Sequence, residues 1–314
     1  MEVGNYTFSC LVTSPMALPR HKGSVIRGAL GASLKRVSCA LRHQRCSTCI
    51  LREQCIYVSF FERLPPAPGS PKWLNVRPNP FVLEPPDIEI QDLNPDTRFS
   101  FNILLFGKAN EFLPHLIYAI ERMGRRGLGR ALDGGERGRF ILDAVVHEGR
   151  SIYTAKEKRL HQPGDLTELV PPDLSGGYPS SAFAEVSVRL CTPLRLKSGN
   201  KFRDQLPFSS LVRAALRRIS SLEATYGEGE PDLPYRELAA MAESVKIVGK
   251  DLRWQDWHRY SSRQKASMHL GGMVGTVCYE GEKLEVFMPL LRYVEQVHLG
   301  KQTTFGLGRM KVIP

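Results

Sequence analysis

The feature that most constrains this chain is a layout used twice. In the first half a β-prone run, residues 6–13, leads through Ser14, Pro15 and Met16 into a helical pattern opening Ser24, Val25, Ile26, Arg27, Gly28, Ala29, Leu30. In the second half a run at 185–191 leads through Thr192, Pro193 and Leu194 into one opening Ser210, Leu211, Val212, Arg213, Ala214, Ala215, Leu216. Later in each half, apolar residues recur at i, i+3, i+4 and i+7: Leu113, Leu116, Ile117, Ile120, then Leu290, Tyr293, Val294, Val297. That spacing builds one buried helical face. Each pattern is followed by the same tetrapeptide, Gly127-Leu128-Gly129-Arg130 and Gly306-Leu307-Gly308-Arg309, and then by a β-rich run at 140–146 or 310–313.

A strand and helix at the start, a helix, loop and strand at the end, and strands at 98–106 and 273–279 between them spell βαββαβ. The expected fold is therefore α+β, two ferredoxin-like (RRM-like) domains in tandem. Two breaker-rich stretches divide the chain. Nine prolines between residues 65 and 95 mark an irregular excursion, and the Pro- and Gly-rich run at 161–181 reads as a linker. The boundary falls near residue 180, giving domains 1–180 and 181–314, with a Cys-rich loop, 39–55, inserted in the first.

Forty-three Lys and Arg against 32 Asp and Glu give a net charge of +11, which favours a polyanion, nucleic acid before an anionic membrane. No apolar run approaches the ~20 residues of a membrane-spanning helix, the first residues do not read as a secretion signal, and seven cysteines do not read as a disulfide framework. A cytoplasmic protein without membrane partners is expected. Motifs for a P-loop, a dinucleotide fold, a Gly-x-Ser-x-Gly elbow and His-Glu-x-x-His are all missing.

Paired glycines allow positive φ and an anion-binding nest of N–H groups. Arg125, Arg126, Gly127, Gly129 and Arg130 in the first half, and Lys301, Gly306, Gly308 and Arg309 in the second, are thus candidate phosphate contacts. Arg27, Arg213 and Arg217 add helical cations, and Arg253, Arg259 and Arg263 alternate with Trp254, Trp257 and Tyr260 as in single-strand RNA grips. Cys39, Cys46, Cys49 and Cys55, spaced C-x6-C-x2-C-x5-C, suit a structural tetrahedral zinc, and an iron–sulfur cluster uses the same ligands.

Three stretches resemble the CRISPR repeat-processing endoribonucleases of the RAMP superfamily: residues 22–31 with the cysteines and Tyr57-Val58-Ser59-Phe60-Phe61-Glu62, residues 257–264, and the glycine-rich 300–309. The resemblance implies tandem ferredoxin-like domains and cleavage of precursor CRISPR RNA within repeats. The cut needs no metal cofactor, leaves a 2′,3′-cyclic phosphate and a 5′-hydroxyl, and yields a guide RNA for effector-complex subunits. Histidine suits the acid or base of such a cut because it titrates near pH 7. Where relatives often carry Gly-His in the first helix, this chain has Gly31-Ala32-Ser33. His43, flanked by Arg42 and Arg45 between that helix and an expected strand, is the first candidate; it is also a candidate metal ligand. His21 is second, beside Arg20 and Lys22, and Lys22 or Arg42 is the candidate cation to stabilise the phosphorane. The rival reading is a non-catalytic RNA-binding subunit of an effector complex.

Overall fold

A computed structural model describes residues 1–62, 64–132, 134–172, 185–196, 205–261 and 266–313. The chain divides into two compact units, 1–168 and 169–314; the linker position near 180 lies outside the described residues.

The first unit opens with β1 (Glu2–Val12) and the short β2 (Met16–Ala17), then α1 (Lys22–Ser38) and α2 (Ile56–Phe61). The strands β3 (Phe81–Glu84), β4 (Asp92–Leu93) and β5 (Arg98–Phe106) follow, then α3 (Leu113–Arg126). A small ribbon, β6 (Leu128–Ala131) and β7 (Arg137–Gly138), precedes β8 (Phe140–His147), β9 (Arg150–Thr154) and β10 (Thr167–Glu168). The sheet runs β3-β5-β1-β8-β9, every pairing antiparallel, with β10 on β1. Leaving out β9, that is the fourth, first, third and second strand of βαββαβ read from β8 to β3, the ferredoxin order.

The second unit repeats it with β11 (Glu185–Leu194), α4 (Phe208–Tyr226), α5 (Tyr235–Met241) and β12 (Lys246–Gln255). A hairpin of β13 (His258–Ser261) and β14 (Ala266–His269) leads to β15 (Gly272–Glu280), α6 (Met288–Val297) and β16 (Met310–Ile313). Its sheet order, β12-β15-β11-β16, is the same permutation. The α+β tandem ferredoxin fold expected from the repeat is what the chain adopts.

Period sets these elements. In β1 the residues Tyr6, Phe8, Cys10 and Val12 alternate inward and are buried, as a half-covered sheet requires. In α3, Leu113, Leu116, Ile117 and Ile120 are buried, and in α6 so are Leu290, Tyr293, Val294 and Val297. Each such side chain contributes roughly 1.5–3 kcal/mol by leaving water. Helix α1 packs a narrower stripe, Ile26, Leu30 and Leu34. Gly31 belongs to that stripe because a Cβ there would come within 2.9 Å of the Phe61 ring, so glycine lets α2 lie close. The segment after the cysteines is a helix, where the sequence suggested a strand.

Candidate nucleic-acid interface and catalytic residues

Each unit carries a tight turn after its second helix, and hydrogen bonds fix the correspondence between them. In the first unit α3 ends at Gly127 (φ 85°); buried Leu128 pairs with Gly138, and Arg130 pairs with Ala17 of β2. In the second, α6 ends at His298 (φ 57°). The N–H of buried Leu299 donates to Gly308 O (2.9 Å), and that of Lys301 donates to Arg195 O (3.2 Å). Gly129 and Gly300 both hold positive φ, 91° and 85°, and at each a Cβ would run into a carbonyl oxygen, that of Ala17 or of Arg195.

The far side of each turn matches too. Arg139 N–H donates to Ser14 Oγ (2.8 Å) and its carbonyl accepts from Thr13 N–H (2.9 Å). Arg309 N–H donates to Thr192 Oγ1 (2.9 Å) and its carbonyl accepts from Cys191 N–H (2.9 Å).

The two Gly-Leu-Gly-Arg tetrapeptides are therefore not counterparts, contrary to the sequence reading. Gly127-Leu128-Gly129-Arg130 answers to His298-Leu299-Gly300-Lys301, and Gly138-Arg139 answers to Gly308-Arg309. Pairing register, which four identical letters do not encode, decides the match. The signal was present in the shared pattern x-Leu-Gly-cation.

Gly306 (φ 84°) and Gly308 (φ 76°) are buried, and a Cβ on Gly308 would overlap the Leu299 carbonyl oxygen. Phe305 and Leu307 pack with Leu270 and Trp257, so Trp257 buttresses the glycine loop while Lys301 and Arg309 stay exposed. Two residues hold the loop from behind: Arg218, which the sequence suggests only as part of a basic helical stripe with Arg213 and Arg217, and His298, which it does not single out. Arg218, half-buried, donates through Nη2 to Val297 O (2.8 Å) and through Nε to His298 O (3.1 Å), covering the C-terminal carbonyls of α6. The buried ring of His298 brings Nδ1 to 3.1 Å from Leu307 O.

The other cations are dispersed. Arg125, Arg126, Arg130, Arg217 and Arg253 are exposed. Arg213 is exposed but paired with Glu243 (2.7 Å), and Arg27 stacks its guanidinium over Phe61, 5.1 Å from the ring centroid. Arg259 lies on β13, and Arg263 lies outside the described residues. Trp254 is 38% exposed on β12, with Nε1–H donated to Asp256 (2.9 Å).

The catalytic candidates fall in two places in the first unit. His21 is the residue before α1, half-buried, with backbone φ −92° and ψ 99°. Lys22 is 2% exposed, and its ammonium donates to Ile88 O (2.5 Å) and Arg20 O (3.5 Å); desolvation pulls its pKa down. The sequence reading took Lys22 for a cation facing substrate, whereas its protons bind the excursion at 85–90 to the start of α1. His43 is exposed in the loop after α1 with Arg42 and Arg45, between two helices rather than helix and strand.

Cys39, Cys46, Cys49 and Cys55 are free thiols; Cys39 follows α1, Cys46 and Cys49 flank one short turn, Cys55 precedes α2, and Arg52 Nη1–H donates to Cys46 O (3.0 Å). Among the described residues, no three or more His, Cys, Asp or Glu side chains are grouped to hold a metal ion. Cys46 and Cys55 both pack against the small apolar cluster of Tyr57, Val58 and Leu64.

Comparison with known proteins adds the identity of this scaffold. Residues 1–165 match the N-terminal domain family AF_1859_N, and residues 188–310 match the CRISPR-associated endoribonuclease Cas6 family. An uncharacterized protein of Archaeoglobus fulgidus is 23% identical over 298 residues, covering 94% of this chain and 92% of its own. A solved Cas6 product complex shares the fold at TM-score 0.52 and 16% identity over 99% of both chains. A partial Cas6-RT-Cas1–Cas2 complex matches at TM-score 0.57 and 13% identity, over 99% of this chain and 46% of that one. The chain therefore belongs to the AF_1859_N family by its first half, and its second unit is similar to the CRISPR-associated endoribonuclease Cas6 family.

Proposed function

We propose that this protein is a cytoplasmic endoribonuclease that cuts precursor CRISPR RNA within its repeats, without a metal ion in the reaction. The observation that carries the reading is the second unit's loop: it lies within the Cas6-matched residues and holds exposed Lys301 and Arg309 on a backbone fixed by Gly300 and Gly308. Fixed cations on a preformed turn suit RNA phosphates, since no loop ordering opposes binding. Arg253, Arg259, Arg263 and exposed Trp254 extend the grip by phosphate contact and base stacking. Arg27, Arg213 and Arg217 serve as weaker phosphate contacts, as do the first unit's Arg125, Arg126 and Arg130 with Gly127 and Gly129.

The reaction follows from the substrate. The ribose 2′-oxygen attacks the adjacent phosphorus as the bond to the 5′-oxygen breaks, giving a 2′,3′-cyclic phosphate and a 5′-hydroxyl. A base takes the 2′-OH proton, an acid protonates the leaving 5′-oxygen, and cations stabilise the phosphorane charge. His43 is the first candidate for this proton traffic, exposed between Arg42 and Arg45, and His21 is the second. Lys22 acts by positioning His21, its immediate neighbour, through its bonds to the 85–90 segment. The expected partners are repeat RNA and CRISPR effector subunits, in keeping with neighbours solved as a Cas6 product complex and as a partial Cas6-RT-Cas1–Cas2 complex.

The test is single-turnover cleavage of the cognate repeat RNA in excess EDTA by wild type, His43→Ala and His21→Ala. The reading expects one variant to bind normally and lose at least a hundredfold in rate, in line with the usual worth of a general acid or base. Undiminished cutting by both overturns the histidine assignment. Tight binding without any cutting by wild type favours the RNA-binding subunit, the reading that α1's lack of a histidine would suit.

A further inference from the structure

The first unit's turn carries a charge density that its fold does not require. Residues 122–139 hold six arginines against Asp133 and Glu136. Arg122, Arg125, Arg126, Arg130, Arg137 and Arg139 are all exposed, and among the described residues only Arg139 forms an ion pair, with Glu136 (3.2 Å). The C-terminal dipole of α3 accounts for Arg125 and Arg126 in its last turn, but it falls off within that turn and does not reach the ribbon. Clustered like charges repel one another and cost stability unless a polyanion neutralises them.

The register match shows where these cations stand. Arg130 occupies the position of Lys301, and Arg139 that of Arg309, so both units set a cation at both corners of one hydrogen-bonded frame. In the first unit the frame is rigid at each corner, through Ala17 paired with Arg130 and Ser14 Oγ with Arg139 N–H. Arg137 and Arg139 lie two residues apart on an extended segment and share a face. Arg122 and Arg126, at i and i+4, share a face of α3. Guanidinium groups bind phosphate oxygens bidentately, which lysine cannot do.

We propose that the ribbon β6–β7 with the C-terminal end of α3 is a phosphate-binding surface of the first unit for the backbone of the repeat RNA, additional to the second unit's glycine loop. The inference rests on the RNA-processing reading and enlarges its footprint. An anionic membrane is the poorer partner, because a membrane-binding surface needs apolar side chains to insert and no large apolar side chain of 122–139 is exposed among the described residues.

The test measures the Kd of full-length protein for a single-stranded repeat RNA across a salt series. It compares wild type, Arg130→Gln/Arg137→Gln/Arg139→Gln, and Arg122→Gln/Arg126→Gln, with thermal unfolding as the control for folding. Each phosphate contact on a single strand contributes about 0.7 to the slope of log K against log salt, so the triple variant should flatten it by about 2. Its affinity should fall at least tenfold near 0.1 M salt, and the helix variant should move the same way by a smaller amount. An unchanged slope and Kd in both variants overturn the ribbon surface while leaving the processing reading intact. Failure of wild type to bind repeat RNA overturns both. Binding of the wild type to phosphatidylglycerol vesicles in preference to RNA, lost in the triple variant, overturns the choice of partner.

Discussion

Replacing Gly308 with alanine puts a methyl group where the Leu299 carbonyl oxygen already sits, in a residue held at φ 76°. The left-handed backbone alone costs an L-residue roughly 1–2 kcal/mol. Relief of the overlap requires Leu299 and Gly308 to separate, which weakens Leu299 N–H to Gly308 O (2.9 Å) and Gly308 N–H to Pro193 O (3.1 Å). Each such bond is worth about 0.5–1.5 kcal/mol. The substitution should therefore cost about 3 kcal/mol in all, a large share of the ~5–15 kcal/mol that holds a domain folded. Gly28 is the control: it is exposed in the middle of α1 with open space where its Cβ would go, so alanine there should stabilise by about 0.5–1 kcal/mol. Urea unfolding followed by far-ultraviolet circular dichroism gives both values. A loss below about 1 kcal/mol for Gly308→Ala, or a loss for Gly28→Ala that equals it, would refute the reasoning.

Three further outcomes follow from buried polar groups. Burial pushes the phenols of Tyr6 and Tyr153 up to about 12, and those of Tyr279 and Tyr293 higher still. Above pH 10 the unfolded chain releases protons that the native state keeps, so stability falls as pH rises, by ~1.4 kcal/mol per pH unit for each phenol. Tyr279→Phe should make that fall shallower by about 1 kcal/mol between pH 10 and 11, where the unfolded phenol goes from half to mostly ionised, read from unfolding midpoints. Lys22 has the opposite sign: its pKa is lowered by desolvation, so its buried charge costs stability at neutral pH. That cost is relieved as pH rises through the folded pKa toward 10.5, so wild type should gain on Lys22→Met over the alkaline range below 10.5. Arg218→Met leaves the Val297 and His298 carbonyls without their donors and should cost about 3 kcal/mol, and lysine, a single point charge, should not restore it.

The repeat in the sequence was enough to give the fold, because strand and helix periods are local. The strand read at residues 98–106 is β5 to the residue, and the apolar faces of α3 and α6 are those named from spacing. What escaped is tertiary. The register that sets Arg130 against Lys301 depends on pairing with β2 and its counterpart near Arg195, and no local pattern reports it. Lys22 reads as a surface cation by residue type, yet the excursion at 85–90 folds over it and supplies Ile88 O. The cysteine spacing suits a metal knuckle, while their neighbours Tyr57, Val58 and Leu64 supply a small apolar cluster of their own. Of two tryptophans three residues apart, Trp257 buttresses the glycine loop and Trp254 faces solvent, a difference set by the end of β12 between them.

The most direct measurement is cleavage of the cognate repeat RNA in excess EDTA, beside the same RNA carrying a single 2′-deoxyribose at the cut site. An enzyme that uses the substrate's own 2′-hydroxyl should cut the first to a 2′,3′-cyclic phosphate and a 5′-hydroxyl and leave the second whole while binding it equally well. Cutting of the deoxy substrate, or tight binding of both RNAs with neither cut, would contradict the account.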